Sequence, residues 1–324
     1  MTRIDVHQHL IPPGYVDTLK DHGVLTSGGR GFPGWNAAGA LDFMDRNAIG
    51  VGILSLSAPG VWVGDPAQSL RLARTVNDYG AELAKDRPDR FGQFACLPLP
   101  DVDASMAEAV RALDELQADG VVVLANNDGV YFGDPRFDPL MDELDRRGAV
   151  VLLHPNALPG PAVSGIPAFA VDFLLDTTRA TVNLLLNDIP NRYPRLKIIL
   201  SHAGGFTPYA SHRIAALTVA HDFQTALGRP RRSQEELLET LAGFYFDTAL
   251  SASPASLPSL LAFATPGHVL FGSDYPYPPE PTIAHFTAGL DAYGDLDADS
   301  LAAVNETNAH ALFPRLAAAA MTGR

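Results

Sequence analysis

The sequence predicts an α/β chain folded as one (β/α)8 barrel, a single domain spanning residues 1–324, and three observations carry that expectation. Short apolar or β-branched runs recur eight times along the chain. Most of them are followed by a stretch with apolar residues at helical spacing, the rhythm of a parallel sheet wrapped in helices. Histidines and a carboxylate fall where several of the runs end, which is the face on which such barrels assemble their sites.

In chain order the runs cover residues 3–6, 51–56, 91–96, 120–124, 150–153, 197–200, 244–246 and 268–271. The helical stretches cover residues 37–47, 66–86, 103–117, 135–147, 169–189, 207–226, 234–241, 256–263 and 296–312. Asp103 stands before an apolar periodic run as a start signal, and Gly148 follows Arg146-Arg147 as a stop signal. Residues 10–35, between the first strand and the first long helix, are rich in Gly and Pro and too long for an ordinary βα connection. They read as an insertion over the barrel mouth, a lid, with Tyr15, Phe32 and Trp35 to pack it down.

Composition narrows the function classes. Hydrophobic residues at 47% and charged residues at 19% suit a large buried core and exclude a disordered chain. The net charge of -14 is spread along the sequence, and the one basic cluster is Arg229-Pro230-Arg231-Arg232, so neither nucleic acid nor an anionic membrane is an expected partner. Without an apolar leader or an uninterrupted run of about 18 apolar residues, neither secretion nor membrane insertion is expected. The single cysteine, Cys96, lies in the apolar run Phe94-Ala95-Cys96-Leu97 and reads as a packed core thiol, which with the lack of a disulfide framework suggests a cytoplasmic protein.

His7-Gln8-His9 closes the first run. A strand period of two puts both imidazoles on one side, about 7 Å apart along the backbone, where they can chelate one ion. Val150-Val151-Leu152-Leu153-His154-Pro155 ends an apolar strand in a histidine held extended by the proline after it, and supplies a third imidazole. Asp274 follows Phe271-Gly272-Ser273, placed to bind metal or to handle protons, with a helix cap as the structural alternative. His7, His9, His154 and Asp274 make a mixed nitrogen and oxygen set for one divalent ion, Zn²⁺ first, with Mn²⁺ or Fe²⁺ also within its range. His202, before Gly204-Gly205, is a fifth ligand or a general acid/base, and the second role fits an imidazole that exchanges protons near neutrality. The glycines would let backbone approach a ligand. The other six histidines lie away from that face, and no lysine falls near the end of the fourth strand, which favours one metal over two.

These motifs, with Pro194-Arg195-Leu196-Lys197-Ile198-Ile199-Leu200-Ser201-His202-Ala203-Gly204-Gly205, resemble the amidohydrolase-related family of aminocarboxymuconate-semialdehyde decarboxylase over nearly the whole chain. The Ser57-Ala58-Pro59-Gly60 loop and Arg147-Gly148-Ala149-Val150-Val151 are most similar to the 6-methylsalicylate decarboxylases within it. The resemblance implies a metal-dependent enzyme that removes CO2 without oxidation from a small aromatic or unsaturated carboxylic acid. His7, His9, His154 and Asp274 would bind the metal, and His202 would be catalytic. It also implies a homodimer in which Arg213 reaches the neighbour's substrate carboxylate. One departure matters: the muconate enzymes carry a second arginine just before Met44-Asp45, where this chain reads Gly39-Ala40-Leu41-Asp42-Phe43, so a monocarboxylate such as a salicylate-like acid fits better than a dicarboxylate. The competing expectation is hydrolysis of a lactone or amide, which the same residues could perform through metal-activated water.

Overall fold

The computed structural model describes residues 2–317; residue 1 and residues 318–324, the far end of the expected domain, lie outside the described residues. Eight parallel strands form one sheet: β1 (Arg3–His9), β2 (Ile49–Ser55), β3 (Phe91–Cys96), β4 (Gly120–Leu124), β5 (Val150–His154), β6 (Lys197–Leu200), β7 (Tyr245–Asp247) and β8 (Val269–Leu270), neighbouring one another in that order. The sheet closes on itself through the chain after β8. Val6 N–H donates to the Phe271 carbonyl at 3.0 Å, Asp274 N–H to the His7 carbonyl at 2.8 Å, and His9 N–H to the Tyr275 carbonyl at 2.7 Å. A closed sheet has no free edge, and the helices outside it bury its outer face, the (β/α)8 architecture.

Every residue of β3 and β5 is buried, as expected of strands covered by packed side chains within and helices without. Register pairs His9 with Ser55, Leu124 with His154 and Leu153 with Leu200, so His9 and His154 each stand at the C-terminal end of a paired strand. Among the described residues no helix is long and apolar enough to cross a membrane.

The helices depart from the sequence reading in instructive places. The one expected from Asp103 begins at Val102 with Asp101 as its cap, accepting from Ala104 N–H at 3.0 Å, while Asp103 lies in the first turn. Residues 169–189 do not run as one helix. A 3-10 turn, Ala168–Ala170, precedes Asp172–Leu186, and the chain turns at left-handed Asp188 before Ile189–Arg192. Residues 207–226 likewise break after Thr207–Ala220, where Asp222 is left-handed. The helix Glu280–Asp291 is not among the expected helical stretches; the structure puts Pro281 in its first turn, where a missing N–H costs nothing. A two-stranded hairpin, Asn126–Asn127 with Val130–Tyr131, and the helix Tyr15–Asp21 are further additions. Gly148 stops its helix in the left-handed conformation, as its position after Arg146-Arg147 suggested.

Candidate metal centre and its pocket

His7, His9, His154 and Asp274, from β1, the end of β5 and the turn after β8, each offer one ligand atom, and these atoms all lie within 4.8 Å of one another. All four residues are buried. The ring centroids of His7 and His9 are 4.9 Å apart, and those of His7 and His154 5.2 Å. The outer nitrogen of each ring is tied to the protein. His7 Nδ1–H donates to Asp247 Oδ2 at 2.7 Å, His9 Nδ1 lies 3.3 Å from the Ser55 carbonyl and 3.0 Å from its hydroxyl, and His154 Nδ1–H donates to the Pro155 carbonyl at 2.8 Å. A histidine whose Nδ1 carries the proton presents a lone pair at Nε2, the form a metal takes. His7 Nε2 and His9 Nε2 face each other at 3.1 Å, and Asp274 Oδ1 is 3.0 Å from His9 Nε2 and 3.4 Å from His7 Nε2.

The electrostatics call for a cation at this point. Burial opposes charge on His7, but the Asp247 and Asp274 carboxylates outweigh it and raise the imidazole to about 10. Burial pushes His9 down, and burial together with the neighbouring imidazoles pushes His154 well down, so these two stay neutral. Burial alone would raise the Asp274 carboxyl, yet hydrogen bonds from His202, His7 and His9 hold it well below the carboxylate range. Once His7 gives up its Nε2 proton, as ligation requires, the two buried carboxylates would be balanced by one divalent ion, and three imidazoles with one carboxylate are a donor set that transition-metal ions accept. The residues fit such a group.

His202 sits beside this cluster, its Nε2 3.5 Å from Asp274 Oδ2. Its Nδ1 is buried with no hydrogen-bond partner among the described residues, and the ring lines the adjoining cavity. Both His202 and Asp274 hold left-handed backbone, φ 54 and 63, a conformation that costs non-glycine residues about 1–3 kcal/mol and collects at functional sites. Gly272 makes room for the centre's supports. A Cβ there would lie 2.9 Å from the His7 Cβ and 3.2 Å from the Asp247 Cβ, so only glycine lets the turn after β8 pass. Gly204 and Gly205 are packed tightly against the protein, since added Cβ atoms would meet Phe246 at 2.8 Å and the Leu174 carbonyl at 2.1 Å.

Asp247, at the end of β7, escaped the sequence reading. Its Oδ2 accepts from His7, and its Oδ1 accepts from His202 N–H at 2.9 Å and Ala249 N–H at 3.0 Å. The available signal was a carboxylate ending an apolar strand, Tyr245-Phe246-Asp247, the same signature as Asp274 but at a strand given no polar residue. Asp5 is a second buried support: it accepts from His7 N–H, Ser273 N–H and the Ser273 hydroxyl, while burial raises it to about 6.

The cavity over the cluster has a volume of about 380 Å³, within the usual range for small ligands. His154, His202 and Asp274 form its inner end; Phe173, Leu174 and Leu250 give apolar walls; Ser57 and Tyr277 add hydroxyls. Ser27, Arg30, Gly31 and Pro33 of the 10–35 segment line its outer end. Trp62 does not line it, but donates from Nε1 to Asp128. Arg213 is exposed on the helix Thr207–Ala220 and is not among the lining residues. Cys96 is buried with its thiol pushed well up, inert as expected of a core position.

Strands ending in three imidazoles and a carboxylate, under a small-molecule cavity, define a metal-dependent barrel enzyme. The chain belongs to the Amidohydrolase family, whose pattern matches residues 4–315. It is 38% identical over 322 residues to the 6-methylsalicylic acid decarboxylase of Penicillium expansum, covering 98% of this chain and 97% of that protein. It is 30% identical to the gamma-resorcylate decarboxylase of Rhizobium sp. (strain MTP-10005) over 84% of this chain and 85% of the relative. The solved structure of 2,6-dihydroxybenzoate decarboxylase complexed with 2,6-dihydroxybenzoate matches with a TM-score of 0.77 at 26% identity, over 97% of this chain and 99% of that one.

Proposed function

We propose that this metal-dependent, non-oxidative decarboxylase takes a salicylate-like acid, a benzoate with a hydroxyl ortho to the carboxylate, and releases CO2 and a phenol. The observation that carries the reading is the placement of His202, with an unpartnered buried Nδ1, beside a three-histidine, one-aspartate centre under a cavity of aromatic-ring size. Relatives matching 98% and 84% of the chain, named for ortho-hydroxy aromatic acids, support it.

In this reading His7, His9, His154 and Asp274 would hold one divalent ion, which would supply Lewis-acid chemistry for an oxygen-rich substrate head. The remaining work falls to the chain. Breaking the ring-to-carboxyl bond outright would leave an aryl carbanion, so a proton must reach that ring carbon before or during the break. The His202–Asp274 pair moves it: the C–H bond forms, the C–C bond breaks with its electrons returning to the ring, and CO2 departs. Phe173, Leu174 and Leu250 keep water from competing for the site. Zn²⁺ is the first expectation for the ion and Mn²⁺ the second.

Two further parts belong to the same reading. The 10–35 segment acts as a lid, and the protein works as a homodimer in which Arg213 meets the neighbour's substrate. Support for association comes from apolar side chains near Arg213 that remain exposed: Tyr209 at 87% on the same helix, with Phe206 and Phe223 on either side of it. A buried, reduced Cys96 suits the cytoplasm.

Elemental analysis of the purified protein, followed by a panel of hydroxybenzoic acids and lactones with CO2 and ring opening both measured, tests the proposal. CO2 from 2-hydroxybenzoates is the expected result. Turnover of lactones without CO2 from any acid would overturn it in favour of hydrolysis.

A further inference from the structure

Arg30 is the one lysine or arginine among the described residues lining the cavity, and the chain goes to some length to place it. Ser27-Gly28-Gly29-Arg30 forms a tight hairpin turn: Ser27 N–H donates to the Arg30 carbonyl at 2.8 Å and Arg30 N–H returns to the Ser27 carbonyl at 2.9 Å. Both central residues have positive φ, 55 at Gly28 and 84 at Gly29, the geometry that a Gly-Gly turn adopts without strain. The Ser27 hydroxyl donates to the Ala58 carbonyl at 2.6 Å and anchors the turn to the loop after β2. At Gly28 a Cβ would lie 2.7 Å from Phe173 Cζ, so the turn is seated on the cavity's aromatic wall. The guanidinium then lies over the Phe169 ring, another lining residue, 3.9 Å from its centroid.

A carboxylate substrate meets an unfavourable field on approach, because the protein carries a net charge of -14. A divalent ion held in the centre would have its two charges offset by the carboxylates of Asp274 and Asp247. We propose that Arg30 is the specificity-determining residue at the cavity mouth: it selects anionic acids over neutral ring compounds, drawing the carboxylate in and giving the uncharged phenol product no hold. The stack on Phe169 keeps the cation at the opening and discourages it from folding out to solvent. This inference rests on the reading that the substrate is an aromatic carboxylate and the product a phenol.

The test uses the metal-loaded, full-length protein and two probes of near-equal shape, salicylate and its neutral analogue salicylamide, with binding followed by calorimetry at low and high salt. Arg30→Ala is expected to weaken salicylate about tenfold at low salt, to leave salicylamide within about twofold, and to flatten the salt dependence of salicylate binding. Arg30→Lys should keep most of the salicylate affinity and its salt dependence, while Phe169→Leu should cause a smaller anion-selective loss. Circular dichroism confirms that each variant is folded. Equal weakening of both probes would reduce Arg30 to a wall of the cavity, and unchanged affinity for both would remove it from recognition; either overturns the inference. Failure of the functional reading looks different: wild-type protein would bind salicylate in an Arg30-dependent manner and yet release no CO2 from any aromatic acid.

Discussion

The inner and outer ends of the cavity are built from different kinds of chain. Inside, His7, His9, His154 and Asp274 are at most 8% exposed, and each is held by strand register or by the turn that closes the barrel. Outside, Arg30 is exposed and Phe169 is 38% exposed, and both stand on turns and short 3-10 structure. The contrast teaches where each requirement is met. Ligand atoms that must agree to fractions of an ångström sit on a hydrogen-bonded barrel, while the groups that meet an arriving molecule sit on segments that can differ without disturbing it.

Substitutions at the inner end should be the most severe. Asp274→Asn removes a ligand and half of the proton-moving pair, and kcat is expected to fall by at least about 10⁴-fold, with metal content by elemental analysis falling alongside. His202→Ala should separate chemistry from metal binding: kcat down about 10²- to 10⁴-fold with the metal content unchanged. A parallel loss of metal would make His202 a ligand instead. Asp247→Asn tests the support behind the centre, because an amide bonds His7 more weakly than a carboxylate does. Metal affinity, read by chelator competition, should drop about 10- to 100-fold while the fold persists.

Gly28→Ala moves to the outer end and should be mildest. Its Cβ would press on Phe173 and its φ of 55 would strain any side chain, so the turn shifts. A rise of several-fold in KM with kcat nearly unchanged is expected; a collapse of kcat would show that the two ends are not separable.

How much of this was readable beforehand follows the same divide. His7, His9, His154 and Asp274 were legible because each ends an apolar run, and strand ends of a parallel barrel share one face. Asp247 has the same local signature, but its partners are 240 residues away at His7 and 45 at His202, and the sequence gives no indication of that meeting. The strand positions held to within a few residues, since buried parallel strands read as continuous apolar runs. The helix Glu280–Asp291 was hidden by its prolines, whose meaning depends on whether they fall in a first turn or an interior. The segment 10–35 showed its length and its glycines, but the place where its turn would deliver Arg30 depends on Ala58 and Phe173, both far along the chain.

Asp247 joins two roles in a way that bears on ion exchange. One of its oxygens steers the imidazole of His7 and the other grips the backbone amide of His202, so the two are yoked to a single rigid group. Swapping one bound cation for another of different radius would tug His7, and the pull would pass through that yoke to the main chain of His202. In the proposed mechanism, metal choice would therefore tune the aim of the acid as well as the strength of the Lewis centre.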